Sequence, residues 1–396
     1  MTPRFKSRTA GDLGSPALMR RINVRQLIRA MRDMGPCSRV DLTRKTALSA
    51  PTVSKLMVEL EGWKLVERQP AVKPTSTGRP SVIYQLASRD IQFLGAVIDI
   101  QECRVIATGY DGRLVPEREF RFATPSSYNA LIKEMARHLK KIAMLSGAPV
   151  MGVGITVPGL LNSHDGRQVF SPNLHFMDGR YPANDVQRAT GFTTVAVQEE
   201  HALCLSEQVF GQARDMEHFA MIDLSAGLGL GVVSAGKFIN GAHGFAGELG
   251  HVTIEPGGLL CGCGNRGCLE TMATDTAFLK AVQKKTGHEW SMDEVIEQAQ
   301  AGKITVKAEQ DHALRALAIG VGIVINLYNP SHLFLYGRIF DVDSECFSQL
   351  LAQVSHHAIQ PSVREVAIVR ARGCKRQGAI AAILEHHTER IAPSLR

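Results

Sequence analysis

A concentration of metal-binding residue types in one short segment is the feature that most constrains this chain. Between residues 248 and 270 the sequence places His251, Cys261, Cys263 and Cys268 among interspersed glycines. Imidazole and thiolate are ligands that Zn²⁺ prefers, and four protein ligands with no open position are typical of a structural rather than a catalytic site. Glycine permits the tight turns through which three sulfurs can converge on one ion. The spacing therefore predicts a structural zinc site rather than a set of unrelated buried cysteines.

Two carboxylates flank the predicted metal site. Glu248 lies three residues before His251, and Glu270 lies two residues after Cys268. A metal that fixes its ligands would also hold both carboxylates near each other, because each is so close in sequence to a ligand. The sequence therefore predicts a binding pocket whose shape the metal maintains.

The composition is that of a globular intracellular protein. A length of 396 residues suits two or three domains, and 44% hydrophobic with 21% charged residues are globular values. No apolar run approaches the length needed to span a membrane, and the first residues contain no apolar stretch like that of a signal peptide. The other cysteines are scattered without the spacing of a disulfide framework. These features predict a cytoplasmic protein without membrane contact.

Positive charge is concentrated in the first 89 residues. They contain 17 Lys and Arg against 6 Asp and Glu, a balance of +11, whereas the remainder contains 28 against 32, a balance of −4. A basic region attached to a mildly acidic body predicts that this region meets a polyanion. We expect a flexible basic tail over residues 1–16 and a separate domain over 17–89.

The predicted domain has the pattern of a helix-turn-helix. An amphipathic helix from about Arg20 to Met34 precedes two shorter helices, over 39–46 and about 50–62, which a tight turn joins. In this motif the N-terminal residues of the second of the two short helices contact bases in the major groove. The residues predicted to contact DNA there are the N-cap and outward positions of the third helix: Ser49, Thr52, Ser54 and Lys55.

A basic wing follows the helices. Residues 65–68 and 81–86 read as two strands, and the polar segment between them ends in Gly78-Arg79-Pro80. This narrow tripeptide can place the Arg79 guanidinium in the minor groove. A winged helix that contacts proteins would have the same helices, but it would not require the excess positive charge or the basic wing. DNA binding is therefore the favoured interpretation.

The body changes to strand-rich α/β sequence. A nearly continuous apolar run over 93–100 predicts a buried strand. A second strand over 220–224 leads into alternating glycines over 227–231. Further helices are predicted over about 128–146 and 305–328, and a final helix begins near Arg376. Two α/β lobes of this kind resemble the sugar-kinase/actin architecture.

The sequence resembles the ROK family (repressors, open reading frames, kinases) over residues 17–390. The basic helix-turn-helix domain over 17–89, called the head below, places it among the family's repressors. The resemblance rests on Gly-Glu-Leu-Gly-His followed by Cys-Gly-Cys-Gly-x-x-Gly-Cys-Leu-Glu, with support from Val157-Pro158-Gly159 and Ser171-Pro172-Asn173-Leu174. It implies an α/β fold: a two-lobed sugar-kinase/actin-like (ribonuclease H-like) body over 90–396, preceded by an α+β winged helix-turn-helix domain. The implied divisions of the body are lobe 1 over about 90–215, lobe 2 over about 216–375 and a C-terminal helix over about 376–396.

The resemblance also implies a sugar site. ROK kinases hold the hydroxyls of a sugar with an Asn after Pro, an Asn-Asp pair, and the Glu, His and Glu around zinc. The matching residues here are Asn173, Gln198, Glu199, Glu248, His251 and Glu270. Such polar side chains suit a polyol, because each buried hydroxyl left unpaired costs about 1–3 kcal/mol. The alternative is that they only satisfy the zinc loop and its neighbouring turns.

Three departures from the kinase pattern argue against catalysis. The first phosphate loop, expected as Asp-x-Gly-x-Thr, reads Asp99-Ile100-Gln101-Glu102-Cys103, so glycine is lost and a negative charge is added. The catalytic-base aspartate is replaced by Glu199, and a late Gly-Gly pair reads Gly337-Arg338. The resemblance therefore implies a sensor without kinase activity, with no catalytic residue and a degenerate base position at Glu199.

The predicted protein is a sugar-responsive transcriptional regulator of carbohydrate-metabolism genes, most consistent with a repressor. We expect a homodimer or a dimer of dimers on a palindromic double-stranded operator. Its effector would be a sugar, or a sugar phosphate accommodated through Arg338 or the 227–231 loop. Two alternatives stay open: an ATP-dependent hexose or N-acetylhexosamine kinase that also binds DNA, and a regulator controlled by a protein partner.

Overall fold

Three helices and a small sheet form the N-terminal head in a computed structural model that describes residues 16–69 and 82–391. In chain order they are α1 (Pro16–Met34), β1 (Cys37–Ser38), α2 (Arg39–Thr46), α3 (Ala50–Gly62), β2 (Val66–Arg68) and β3 (Ile83–Leu86). The sheet is antiparallel with the order β1-β3-β2. Helix α1 begins at Pro16, four residues before the predicted start, since proline suits the first turn of a helix. The predicted tail up to residue 15 and the wing with Arg79 lie outside the described residues.

Side-chain caps fix the turn between α2 and α3. Ser38 and Asp41 form a reciprocal capping box at the start of α2, and Ser49 accepts a hydrogen bond from the backbone of Thr52 at the start of α3. Ala47 ends α2 in the left-handed conformation, with φ of 55°. These caps satisfy backbone donors that the helix starts leave open, so the helix-turn-helix geometry is determined locally by the sequence.

Lobe 1 of the body is a five-stranded mixed sheet with flanking helices. Its elements are β4 (Gln92–Val97), β5 (Glu102–Thr108), β6 (Glu119–Ala123), α4 (Tyr128–Ser146), β7 (Val150–Val157), β8 (Leu160–Leu161), β9 (Gln168–Phe170), α5 (Pro182–Thr190), β10 (Thr194–Gln198) and α6 (Glu199–Val209). The sheet order is β10-β7-β4-β5-β6, and β8 pairs with β9 separately. Strands β4, β7 and β10 are parallel, so their carboxyl ends meet at one edge. The predicted strand over 93–100 ends earlier, at Val97.

Lobe 2 repeats the same topology. Its elements are β11 (Phe219–Asp223), β12 (Gly229–Ser234), β13 (Lys237–Phe238), α7 (Glu270–Ala273), α8 (Asp275–Thr286), α9 (Met292–Gln300), α10 (Lys307–Tyr328), β14 (His332–Tyr336), α11 (Cys346–Val354), α12 (Gln360–Glu365) and β15 (Ala367–Arg370). The sheet order is β13-β12-β11-β14-β15. In both lobes an antiparallel meander of three strands is extended by two parallel strands. This duplication is the predicted two-lobed arrangement.

The last helix, α13 (Lys375–Ile391), returns from lobe 2 and packs on the sheet of lobe 1. The absence of a side chain at Gly154 of β7 allows the backbone of α13 at Ala379 to approach closely. Further along α13, Ile380, Ile383 and Leu384 belong to the same buried cluster as the core of the head. One helix therefore contacts lobe 1 and the head together.

Helix α10 is long and apolar enough, by length and composition alone, to cross a membrane. The sequence prediction concerned uninterrupted apolar runs, and α10 is interrupted by charged residues such as Asp311 and Arg315, so that prediction is not contradicted. More than half of the apolar window is buried, and residues of α10 from Ala313 to Ile325 contribute to the core of lobe 2. A core helix of a large α/β lobe accounts for this composition.

The close approach of α13 to β7 can be tested by adding one methyl group. Gly154→Ala should lower the apparent melting temperature by about 5 °C, because its β-carbon would overlap the carbonyl oxygen of Ala379 and overpacking costs about 1–3 kcal/mol. Gly62→Ala is the matched control, since a β-carbon there meets nothing within 4 Å. Thermal denaturation followed by circular dichroism makes the comparison. Equal melting temperatures for the two variants would contradict this packing.

Candidate functional site: a metal cluster beside an acidic cleft

The segment 252–269 folds into a compact loop that brings the cysteines together. Two isolated β-bridges, Thr253 with Cys268 and Leu260 with Arg266, hold its sides in register. Gly267 has φ of 73°, and a β-carbon there would overlap the carbonyl oxygen of Glu255. Glycine is required at this position for both reasons, and its absence would open the loop.

The four predicted metal ligands converge in space. The Nδ1 or Nε2 atom of His251 and the Sγ atoms of the three cysteines all lie within 4.8 Å of one another. The Sγ of Cys261 is 3.5 Å from Nδ1 of His251, and the Sγ atoms of Cys263 and Cys268 are 3.8 Å apart. One imidazole and three thiols at these separations form a donor set that could hold a single metal ion.

The two flanking carboxylates lie on either side of His251. Oε2 of Glu248 is 3.6 Å from Nε2 of the imidazole, and Oε1 of Glu270 is 3.6 Å from Nδ1. Glu270 is the first residue of α7 and also accepts a hydrogen bond from the thiol of Cys261, at 2.8 Å. Burial raises the pKa of Glu248 above its usual range. The metal cluster and both carboxylates thus form one continuous polar surface.

The other residues implied for the sugar site lie at the carboxyl end of the lobe 1 sheet or near the metal loop. Gln198 is the buried last residue of β10, and Glu199 is the first residue of α6. Asn173 is exposed and follows Pro172 in the chain. The Cβ atom of Pro172 would lie 3.5 Å from a β-carbon added to Gly262, which belongs to the metal loop. The lobe 1 segment therefore reaches the metal loop of lobe 2, and we call the region between the two lobes at these residues the cleft.

A buried lysine that the sequence analysis missed lies at the floor of the cleft. Nζ of Lys375 is 2.7 Å from Oε1 of Glu199, 2.9 Å from Oδ2 of Asp223 and 2.9 Å from Oγ of Ser225. Burial alone would lower the pKa of Lys375, but Asp223 and Glu199 outweigh it and raise the pKa well above its ordinary value. We call these four residues the Lys375 cluster. Its sequence signal was a lysine at the start of the last helix, where the helix dipole disfavours a cation.

Glu200 is a second residue that the sequence analysis missed. Burial, with the neighbouring carboxylates of Glu248 and Glu199, raises the pKa of Glu200 to about 8. Its Oε2 would lie 3.2 Å from a β-carbon at Gly229, and Oε2 of Glu270 would lie 3.4 Å from one at Gly227. The glycine-rich stretch over 227–231 therefore faces carboxyl groups and no cation, so it offers a phosphate no counter-charge.

Arg338 is engaged by carboxylates of its own lobe. Its NH2 atom is 2.7 Å from Oδ1 of Asp293, and its Nε is 3.9 Å from Oδ2 of Asp341. The backbone N–H groups of Arg338 and Ile339 donate to the buried carboxylate of Asp275. Burial raises the pKa of Asp275 to about 7 in spite of these hydrogen bonds. The guanidinium is half exposed and pairs at the surface with acidic groups of its own lobe.

The predicted DNA contacts of the head lie together at the start of α3. Ser49 and Lys55 are exposed, and Thr52 and Ser54 are partly exposed. The hydroxyls of Ser49 and Thr52 are 2.8 Å apart. The side chains of Val53, Leu56, Met57 and Leu60, on the opposite face of α3, are buried in the core. The polar face of the helix is therefore the one that a groove could reach.

Comparison with known proteins places these features in one family. The ROK family model matches residues 98–387. A xylose repressor of Bacillus subtilis is 28% identical over 351 residues, which are 87% of this chain and 89% of that protein. The Escherichia coli transcriptional dual regulator NagC is 22% identical over 376 residues, 91% of each chain.

Two solved structures share the fold. A ROK family transcriptional regulator, a homologue of the E. coli MLC protein, superposes with a TM-score of 0.76 at 24% identity and covers 94% of this chain and 97% of its own. A ROK family glucokinase from Streptomyces griseus, solved with glucose and AMPPNP, has a TM-score of 0.65 at 23% identity, covering 74% of this chain and 97% of its own. The predicted fold class, a sugar-kinase-like body behind a helix-turn-helix head, is confirmed. Because the family model spans most of the sequence, the chain belongs to the ROK family.

Proposed function

We propose that this protein is a sugar-responsive DNA-binding transcriptional repressor of carbohydrate-metabolism genes, whose ROK body is the sensor. The observation that carries the proposal is the capped helix-turn-helix at the N-terminus of a ROK body. The similarity to regulators extends over the head, since the ROK regulator covers 94% of this chain and the glucokinase 74%. The names of the xylose repressor and of NagC support the same function.

The head would bind a palindromic operator as part of a homodimer or a dimer of dimers. Thr52, Ser54 and Lys55 would approach bases in the major groove, and Ser49 would orient the start of α3. Arg79, in the wing predicted from the sequence, would enter the adjacent minor groove. The +11 balance of residues 1–89 supports attraction to the phosphate backbone.

We propose that the metal cluster holds a structural Zn²⁺. One imidazole and three thiolates complete a tetrahedron, so the ion would have no open position for a substrate. The ion would supply binding energy that closes the 252–269 loop, because such sites are not preformed in the unfolded chain. His251, Cys261, Cys263 and Cys268 would hold it, and the ring orientation of His251 would keep Glu248 and Glu270 at the pocket.

We propose that the effector is an uncharged sugar rather than a sugar phosphate. The pocket residues would be Asn173, Gln198, Glu199, Glu248, His251 and Glu270. Carboxylates accept hydrogen bonds from sugar hydroxyls, and a protonated Glu200 can donate one. A phosphate would meet the carboxylate of Glu270 beside Gly227, and the guanidinium of Arg338 is already paired with Asp293. Because the pKa values of Glu200 and Asp275 are raised to about 8 and about 7, the shortage of free cations, more than charge repulsion, favours a neutral ligand.

Kinase activity is the less supported function. The carboxylate of Glu199, at the catalytic-base position of the family, is 2.7 Å from the Lys375 ammonium. A base in that ion pair would have to give up a buried partner before accepting a proton from substrate. The altered residues of the first phosphate loop, Asp99 to Cys103, point the same way. These features support a sensor without catalysis. A cytoplasmic location is supported separately, by the similarity to DNA-binding repressors.

Helix α13 offers a route from the cleft to the head. Its first residue, Lys375, contacts both lobes at the cleft. Near its other end Glu389 pairs with Arg25 of α1 at 2.7 Å, and the hydroxyls of Thr388 and Tyr110 are 2.8 Å apart. A change in lobe closure that a sugar stabilises would therefore move a helix already packed against the head. A ligand acts as a switch only if it binds the two states with different affinity.

Removal of one thiolate tests the structural metal. Cys263→Ser should lose about one equivalent of zinc per chain and lower the melting temperature, because structural zinc contributes directly to folding. Cys374→Ser changes a partly buried cysteine outside the cluster, and it should keep the zinc content and the melting temperature of the wild type. Metal content by inductively coupled plasma mass spectrometry and thermal denaturation provide the readouts. Unchanged zinc in Cys263→Ser would overturn the ligand assignment.

A thermal-shift screen tests the sensor function. Xylose, glucose, N-acetylglucosamine, their phosphates and ATP with magnesium are compared on the full chain. An uncharged sugar at about 100 times its dissociation constant should stabilise the protein by about 2.7 kcal/mol, and its phosphate should not. Glu270→Gln should weaken that response, whereas Glu309→Gln, remote on α10, should not.

Two results would contradict the proposal. Stabilisation by ATP with magnesium that increases with sugar would favour the kinase. An unchanged melting temperature with every sugar would favour control by a protein partner.

A further inference from the structure

The Lys375 side chain is a fully satisfied cation inside the protein. Its side chain is 8% exposed, and those of Glu199 and Asp223 are 16% and 6% exposed. An ammonium has three N–H donors, and three oxygens, one each from Glu199, Asp223 and Ser225, lie 2.7–2.9 Å away. No donor remains for an anionic ligand. The ammonium therefore acts as a resident counter-ion and not as a phosphate receptor.

The chain holds Lys375 in place before the helix begins. The carboxylate of Glu207 in α6 accepts hydrogen bonds from the backbone N–H groups of Arg372, at 2.6 Å, and Gly373, at 2.7 Å. The hydroxyl of Ser206 accepts one from the backbone of Cys374, at 3.2 Å. These contacts fix the start of α13, although a lysine there opposes the helix dipole. These backbone contacts therefore hold the Lys375 ammonium at the cleft.

The oxygens around the ammonium come from both lobes. Glu199 opens α6 directly after β10 of lobe 1, and Asp223 ends β11 of lobe 2. Ser225 follows Asp223 and donates its hydroxyl to the other carboxylate oxygen, at 2.7 Å. Without a central positive charge, two buried carboxylates from different lobes would repel each other. The cation is thus the group that makes their approach favourable.

We propose that the Lys375 ammonium occupies a site in which Glu199, Asp223 and Ser225 could otherwise bind a divalent metal ion. By pairing with these residues, the ammonium holds the two lobes together. Two carboxylates and a hydroxyl are the hard oxygen ligands that Mg²⁺, Mn²⁺ and Ca²⁺ prefer. In the protein as it exists, the ammonium excludes such an ion and makes the floor of the cleft independent of divalent metal. The proposal does not depend on which ligand the sensor binds.

The test is to remove the ammonium and offer Mn²⁺ to the zinc-loaded full chain. Lys375→Ala leaves space among the three oxygens, so this variant should bind about one Mn²⁺ per chain more than the wild type does. Its affinity for Mn²⁺ should be at least tenfold higher than that of the wild type. Electron paramagnetic resonance of free Mn²⁺ measures the binding. Mn²⁺ should also raise the melting temperature of this variant and leave that of the wild type unchanged.

Three further variants control for the position, the space and the ligands. Lys285→Ala removes a lysine that pairs with Glu309 and the carbonyl oxygen of Thr305 on the surface of lobe 2, and it should gain no Mn²⁺ site. Lys375→Met removes the charge but keeps a long side chain, so it should be less stable than the wild type and gain no rescue by Mn²⁺. Asp223→Asn combined with Lys375→Ala should lose the new site.

Several outcomes would overturn the proposal. A folded Lys375→Ala protein that binds no more Mn²⁺ than Lys285→Ala contradicts the competent site, and wild-type protein that binds Mn²⁺ equally well contradicts its occupation by lysine. Lys375→Met with wild-type stability contradicts the interlobe role. If Lys375→Ala is insoluble, recovery on refolding with Mn²⁺ supports the proposal, and insolubility with and without Mn²⁺ counts against it.

Discussion

The packing of α13 against lobe 1 is the interaction on which the remaining architecture depends. Glycine at 154 lets the helix backbone approach β7, and the face carrying Ile380, Ile383 and Leu384 joins the core of the head. The same helix begins at the cleft with Lys375, between oxygens of both lobes. One helix therefore contacts the cleft, lobe 1 and the head. A sensor with this arrangement needs no separate linker to transmit a change in lobe closure.

The cleft itself combines two different ways of holding acidic groups near one another. Around the metal cluster, a converging His and three thiols place Glu248 and Glu270 on either side of the imidazole. At the floor, a buried ammonium neutralises Glu199 and Asp223. Between them, Glu200 has its pKa raised to about 8 by burial. The resulting pocket is rich in hydrogen-bond acceptors and poor in free cations, which suits hydroxyl groups better than phosphates.

The sequence predicted those parts of the protein that depend on local chemistry. Helices α2 and α3 have the predicted bounds because capping residues such as Ser38 and Ser49 act on their own turns. The metal ligands converge because their spacing is short and glycine-rich. In the Lys375 cluster the lysine is 150 or more positions from each of its three partners, so no spacing reveals it. Likewise, the apolar composition of α10 could not be separated from that of a spanning helix until its burial was known.

The most direct test of the account is the affinity of the purified protein for its own operator, selected from genomic DNA and measured by fluorescence anisotropy at one fixed salt concentration. A saturating uncharged sugar, identified by its stabilisation of the protein, should change the dissociation constant by at least about fivefold. A Glu270→Gln protein should bind the same DNA and lose most of that change. An operator affinity that is identical with and without the sugar would contradict the claim that the ROK body senses a sugar on behalf of the DNA-binding head.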